Sequence, residues 1–159
     1  MDISLIKTPI GILEVHTDKN YLYKVQFMSE TTQKRKIISR KMSPMEKQVS
    51  LELKEYFDGK RRSFTVPLMI DAPPFYKRVL LQVQKIGYGR TSSYAEIARM
   101  SGNGKASRAV GTANSRNPIT IIIPCHRIIS SRGTLGGYTG GLNKKSFLLR
   151  HEKRIFPNS

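Results

Sequence analysis

The chain has one cysteine, no tryptophan, and 11 acidic residues against 28 basic ones. A lone Cys125 excludes an internal disulfide and any zinc site built on paired cysteines. His16 has no second histidine or cysteine near it in sequence, so it reads as an ordinary strand histidine and no metal is expected. No segment approaches the roughly 18 apolar residues of a membrane span. Met1-Asp2-Ile3-Ser4 lacks the basic start and apolar core of a secretion signal, so a cytoplasmic location is expected, with Cys125 as a thiol and no membrane partner. Internal repeats and low-complexity tracts are also missing. Gly104-Lys105 runs into Ala106 with no glycine at the required earlier position, which excludes a phosphate-binding loop. The shortage of acid leaves a formal charge of +17 and a pI near 10.3, so a polyanion is the expected partner. Nucleic acid is favoured over a membrane surface because no basic amphipathic helix is evident.

What is present divides in two. A chain of 159 residues holds one ordinary domain or two small ones. Near the N-terminus, residues 3–6, 12–16 and 21–27 read as strands separated by the turn signals Thr8-Pro9-Ile10-Gly11 and Asp18-Lys19-Asn20, an antiparallel meander. Alternation places Tyr21, Tyr23, Val25 and Phe27 on one face of the third strand. The basic run Lys34–Lys41 reads as a solvated loop or edge strand. Ser43-Pro44-Met45-Glu46 is a capping box, and Met45, Val49, Leu53, Tyr56 and Phe57 form the apolar stripe of the helix it starts. The proline-punctuated stretch that follows suggests an N-terminal domain over 1–68, a linker over 69–74 and a second domain over 75–159.

The second half turns to short helices. Residues 75–86 carry the stripe Val79, Leu80, Val83 and Ile86; Ser93 caps a helix running to about Met100; and another is expected from Lys105 to about Ser115. Two short helices around a glycine-containing turn suggest a helix-turn-helix. The second, with Ala106, Ala109, Gly111 and Ala113, has small side chains that suit close approach to either a neighbouring helix or a DNA groove. A glycine-rich loop around Tyr138 and Thr139 precedes a last helix starting near Asn143. The expected fold is therefore α+β: a small antiparallel sheet plus helix, then a mostly helical winged helix-turn-helix domain.

The stretch around Cys125 carries the chemistry. Ile119–Ile123 reads as a β-branched strand that Pro124 ends, putting Cys125 at a strand exit. As an isolated cysteine it could be an inert core residue, or it could be a thiol activated by His126 and Arg127. Glu152 could be a surface carboxylate, or it could turn inward to orient a histidine. A cysteine hydrolase is disfavoured, because adjacent residues seldom face each other as nucleophile and base.

Pro124-Cys125-His126-Arg127, with Arg108-Ala109-Val110-Gly111 and Asn117-Pro118 before it and Gly137-Tyr138-Thr139-Gly140-Gly141-Leu142 and His151-Glu152 after it, closely resembles the O6-alkylguanine-DNA alkyltransferases, also called methylated-DNA–protein-cysteine methyltransferases. The resemblance covers roughly residues 64–153. It implies DNA repair by an irreversible, single-turnover transfer of an alkyl group to Cys125 from O6-alkylguanine in double-stranded DNA, with the nucleotide flipped out and no cofactor. His126 would take the thiol proton through a water, and Glu152 would orient the imidazole. Arg108 would enter the base stack, with Ala109, Gly111, Thr112 and Ala113 in the minor groove and Ser93 nearby. Tyr94 would face the damaged guanine, and Asn117 would tie the recognition helix to the reactive segment. Tyr138, Thr139, Gly140 and Ile128 would line the pocket, and Arg127 would pin the loop. A monomer is implied. Two features depart from the pattern: Gly87 and Thr120 stand where proline is common. The alternatives are a non-catalytic alkylated-DNA-binding protein, whose known examples carry tryptophan at the position of Cys125, and a winged-helix regulator, which would leave the thiol unexplained.

Overall fold

The computed structural model describes residues 1–29 and 40–155, and the chain divides into two compact units, Met1–Ile70 and Asp71–Ser159. Most of the Lys34–Lys41 run lies outside the described residues.

In the first unit β1 (Asp2–Thr8), β2 (Gly11–Thr17) and β3 (Leu22–Phe27) form the expected antiparallel meander in the order β1-β2-β3. Each turn is made by a side chain standing in for backbone. Thr8 Oγ1 donates to Gly11 O at 2.7 Å, and Asp18 Oδ1 accepts from the amides of Asn20 and Tyr21. The alternation expected in β3 holds around Val25, which is buried next to an exposed Gln26, but breaks at the start of the strand. A bulge between His16 and Thr17 pairs Thr17 with Leu22 and His16 with Lys24, so Leu22 and Val25 turn inward while Tyr21 stays exposed.

Helix α1 (Pro44–Phe57) starts at a complete capping box, with the Ser43 side chain accepting from Glu46 N and the Glu46 side chain accepting from Ser43 N. Its Val49, Leu53 and Tyr56 are fully buried, as are Leu13 and Val15 of β2 and Leu22 and Val25 of β3. Two carboxylates are buried on α1 as well. Glu46 takes both terminal nitrogens of Arg40, and Glu52 accepts from the Thr65 amide at 2.7 Å and the Thr65 hydroxyl at 2.9 Å. The linker expected at 69–74 is shortened at both ends. Met69 N donates to Leu22 O at 2.9 Å and Ile70 is buried, while Pro74 already belongs to the next helix.

The second unit contains α2 (Pro74–Gln84), β4 (Ser92–Ser93), α3 (Tyr94–Met100), α4 (Ser107–Ser115), a single 3₁₀ turn (Cys125–Arg127), β5 (Ile128–Ile129) and α5 (Leu142–Ile155). Helices α3 and α4 form the helix-turn-helix pair, and Gly102 at φ +96° supplies the left-handed step between them. Strands β4 and β5 make only a two-residue parallel pair. The main correction concerns Ile119–Ile123, which is not a strand. Ile122 N returns to Thr120 O at 2.8 Å and Ile123 N to Ile119 O at 2.9 Å, and the β-branched Ile121 is held at φ +71°. Burial explains the misreading: Ile119, Ile121 and Ile123 are inside, so an apolar run that looks like a strand is a tight turn packed into the core.

Candidate active site

The thiol sits on the 3₁₀ turn that follows this folded-back segment, and Cys125 is only 3% exposed. Two amides from the end of α4 and just beyond it hold the backbone here. Asn117 Nδ2 donates to Ile123 O at 2.8 Å while its Oδ1 accepts from Ile119 N at 3.0 Å, and Asn114 Nδ2 donates to Cys125 O at 3.2 Å. The Thr120 hydroxyl lies 3.8 Å from Cys125 Sγ and 2.9 Å from the Tyr138 hydroxyl. Burial pushes the Cys125 thiol pKa up, and Asn117, Thr120 and the charge of Lys145 pull against it.

Next in the chain, His126 points the other way. Its Nε2 is 2.6 Å from Glu152 Oε2, and both side chains are sealed from solvent. That contact assigns the Nε2 proton to the carboxylate and leaves Nδ1 as the nitrogen with a lone pair; Nδ1 is buried and has no partner among the described residues. Desolvation lowers the His126 pKa against the pull of Glu152, so the ring is neutral. Glu152 has three further donors: Arg127 Nε at 2.8 Å, the second Arg127 nitrogen at 3.1 Å, and Gly89 N at 3.2 Å. Burial alone would raise its pKa, but hydrogen bonds and charge from His126 and Arg127 hold it well below the usual carboxylate range. Arg127 also donates to Ile86 O at 2.6 Å, which pins the loop containing Gly87.

A cavity of about 290 Å³ has Tyr94, Gly111, Asn114, Gly137, Tyr138 and Thr139 among its walls, and the thiol segment meets it through Asn114, bonded to Cys125 O, and Tyr138, bonded to Thr120. Ser93 caps α3 through Glu96 N, which fixes Tyr94 at the first position of that helix. The Thr139 hydroxyl donates to Ser115 O at 2.8 Å, tying the glycine loop to α4. Gly140 is part of that loop. Ile128, expected in the pocket wall, is fully buried in β5, paired with Ser92. On α4, Arg108 is exposed and Ala109, Gly111 and Thr112 are partly so, but the Ala113 side chain is buried. Ala113 therefore packs inward and does not present its methyl to a groove.

Sequence reading missed Lys145. Its ammonium is fully buried, donating to Ile128 O at 2.5 Å and to Gly137 O at 3.0 Å, and burial lowers its pKa to about 8. The signal was available, because Lys145, Leu148 and Glu152 share one helical face at spacings of three and four. Asn114, the other missed residue, lies three positions before Asn117. Among the described residues no group of histidine, cysteine and carboxylate side chains could hold a metal ion, and no helix is long and apolar enough to cross a membrane.

A buried thiol beside an imidazole–carboxylate–guanidinium array, carried on a helix-turn-helix frame, defines a cysteine-based group-transfer protein. The chain belongs to the 6-O-methylguanine DNA methyltransferase family. The DNA binding domain of that family matches residues 74–154, and its ribonuclease-like domain matches residues 1–70. The methylated-DNA–protein-cysteine methyltransferase of Methanosarcina acetivorans is 42% identical over 157 residues, covering 96% of this chain and 98% of the relative. The constitutive enzyme of Bacillus subtilis is 36% identical over 156 residues, covering 92% of each. The crystal structure of Mycobacterium tuberculosis OGT in complex with DNA superimposes with a TM-score of 0.84 at 38% identity, over 95% of this chain and 92% of that one. The resemblance read from the motifs is thereby established, and so is the function: DNA repair by transfer of an alkyl group to cysteine.

Proposed function

We propose that Cys125 is the acceptor and that this chain, as a monomer, takes the alkyl group from O6-alkylguanine in double-stranded DNA in one irreversible turnover. The observation that carries this is the 2.6 Å contact between His126 and Glu152, which fixes Nε2 on the carboxylate and leaves Nδ1, one residue from the thiol, as the ring nitrogen with a lone pair. His126 takes the thiol proton through a water. The thiolate then attacks the alkyl carbon in line, the S–C bond forms as the C–O6 bond breaks, and the electron pair passes to the purine. The proton held by His126 returns to that purine anion, so the products are guanine and S-alkylcysteine. No cofactor enters this balance. A thioether has no easy leaving path, and the chain has no second thiol to resolve it.

A base inside a duplex cannot reach a sulfur this deep, so the nucleotide is extruded. Arg108 enters the stack it leaves, and Ala109, Gly111 and Thr112 bring α4 into the minor groove. Residues 71–159 hold 15 basic residues against three acidic ones, Asp71, Glu96 and Glu152, which suits a surface that tracks phosphates. Tyr94, Tyr138 and Thr139 receive the base in the cavity, with Ser93 and Gly140 supporting its rim, and Asn117 holds the reactive segment against α4. The Mycobacterium tuberculosis relative was solved with DNA.

The test is to mix the protein with a duplex carrying O6-methylguanine. Mass spectrometry is expected to show one added methylene on Cys125 and none elsewhere. Cys125→Ala is expected to bind the duplex and take up nothing. More than one equivalent per chain, or transfer to the alanine variant, overturns the proposal.

A further inference from the structure

One group at the sulfur is left unused by that mechanism. Thr120 Oγ1 lies between two others, 3.8 Å from Cys125 Sγ and 2.9 Å from the Tyr138 hydroxyl. We propose that the Thr120 hydroxyl is a catalytic group of this site: its oxygen accepts a hydrogen bond from the Tyr138 phenol, its own O–H donates to Cys125 Sγ, and it solvates the sulfur while it is anionic. The inference rests on the reading of Cys125 as the reactive thiol.

The geometry leaves Thr120 little choice. The backbone around it is fixed by the Asn117 side chain on Ile119 N, by the Ile122 amide on Thr120 O and by the left-handed Ile121, and Thr120 is only 8% exposed. The direction of the chain follows from acidity. A phenol is a better donor than an aliphatic alcohol, and burial keeps the Tyr138 phenol protonated by pushing its pKa up. With its oxygen occupied by that donor, the Thr120 proton is left for sulfur, and each bond polarises the next. The relay favours the anion specifically, because the neutral thioether formed on transfer is a weak acceptor.

A hydrogen-bonded thiolate is more abundant but less nucleophilic per ion, and this gives the test a signature that mere packing would not produce. Folded protein is alkylated with iodoacetamide across a pH series, with adducts counted by mass; the single cysteine makes the count unambiguous. Thr120→Val is expected to move the midpoint of the profile upward. If the midpoint rises by about one pH unit, the thiolate population below it falls ~10-fold. Reactivity per ion rises ~3-fold for a Brønsted slope of ~0.4–0.5. The variant is then ~3-fold slower than the parent at low pH and ~3-fold faster on the high-pH plateau. Thr120→Ser keeps the hydroxyl and is expected to follow the parent curve. Tyr138→Phe is expected to raise the midpoint by less, and to add nothing in a Thr120→Val background.

An unmoved midpoint in Thr120→Val, or equal slowing on both limbs, overturns the proposal. So does a Tyr138→Phe effect that persists without the threonine hydroxyl. If Thr120→Val does not fold, Tyr138→Phe decides alone, an unmoved midpoint again overturning the relay. No DNA is used, so failure of methyl transfer from a damaged duplex would be seen separately.

Discussion

The His126 imidazole and the Glu152 carboxylate meet at 2.6 Å in an environment closed to solvent, and Arg127 holds the carboxylate from its other side. Glu152→Gln leaves the Arg127 charge buried without its counter-ion, which costs ~3–5 kcal/mol for broken pairs of this kind. Denaturant unfolding is expected to show a loss of that size, and methyl transfer to fall even where the variant remains folded, because the imidazole loses its orientation.

The same pair sets a pH dependence. His126 has its pKa lowered from 6.5 by burial, so the unfolded chain binds the proton more readily, and stability falls as pH drops below about 6.5 towards the folded value. Glu152 has its pKa lowered from 4.5, so its contribution is full above about pH 4.5 and declines on further acidification. Melting temperatures are expected to fall in two stages between neutral pH and pH 3, and His126→Asn to remove the first stage.

Lys145 binds two backbone carbonyls from a fully buried position. Lys145→Met keeps the stem and removes the donor, leaving Ile128 O and Gly137 O each short of a partner, at ~1–3 kcal/mol per group. Limited proteolysis is expected to cut within residues 133–141 of the variant faster than in the parent. Lys145→Arg is expected not to restore protection, since a planar fork does not fit a site made for a compact ammonium.

Gly136 sits at φ +67°, and a Cβ there would lie 2.8 Å from the Tyr94 hydroxyl. Gly136→Ala therefore meets both backbone strain of ~1–2 kcal/mol and a ring that must move. The expected result is a fall in methyl transfer larger than the fall in thermal stability predicts, with the Tyr94 ring displaced in a crystal structure of the variant.

Arg108 is exposed near the start of α4. Arg108→Ala is expected to slow repair of a duplex much more than reaction with free O6-benzylguanine, because only the duplex requires extrusion. Equal slowing would count against the role given to it. Duplex binding by the parent is expected to weaken steeply with added salt and to vary little with sequence.

Much of this site was legible because its residues are marked by chemical type. A lone cysteine beside a histidine and an arginine, and helices bounded by Ser43 and Ser93, announce themselves locally. What the sequence concealed depends on contacts between distant segments. Ile119–Ile123 reads as a strand because a buried turn and a buried strand are equally apolar, and the contacts that fold it back, its own amide–carbonyl bonds and the Asn117 amide bonded to both ends, leave no mark in the pattern. The break in alternation at Leu22, at the start of β3, comes from a one-residue bulge that no periodicity shows. Lys145 hid inside a basic helix, where a buried ammonium and a solvated one look the same until the carbonyls of Ile128 and Gly137 are seen to close on it. Ala113 was misplaced because a small residue serves a groove and a helix contact equally well.

The enclosure of Cys125 also bears on how samples of this protein age. Cys125 is only 3% exposed, which suits a small reagent or a single base better than a second folded chain, so two buried sulfurs cannot meet and oxidative cross-linking must wait for that region to open. The band at twice the chain mass on a non-reducing gel therefore works as a clock for local opening, and its rate of appearance reports how often the turn lets go.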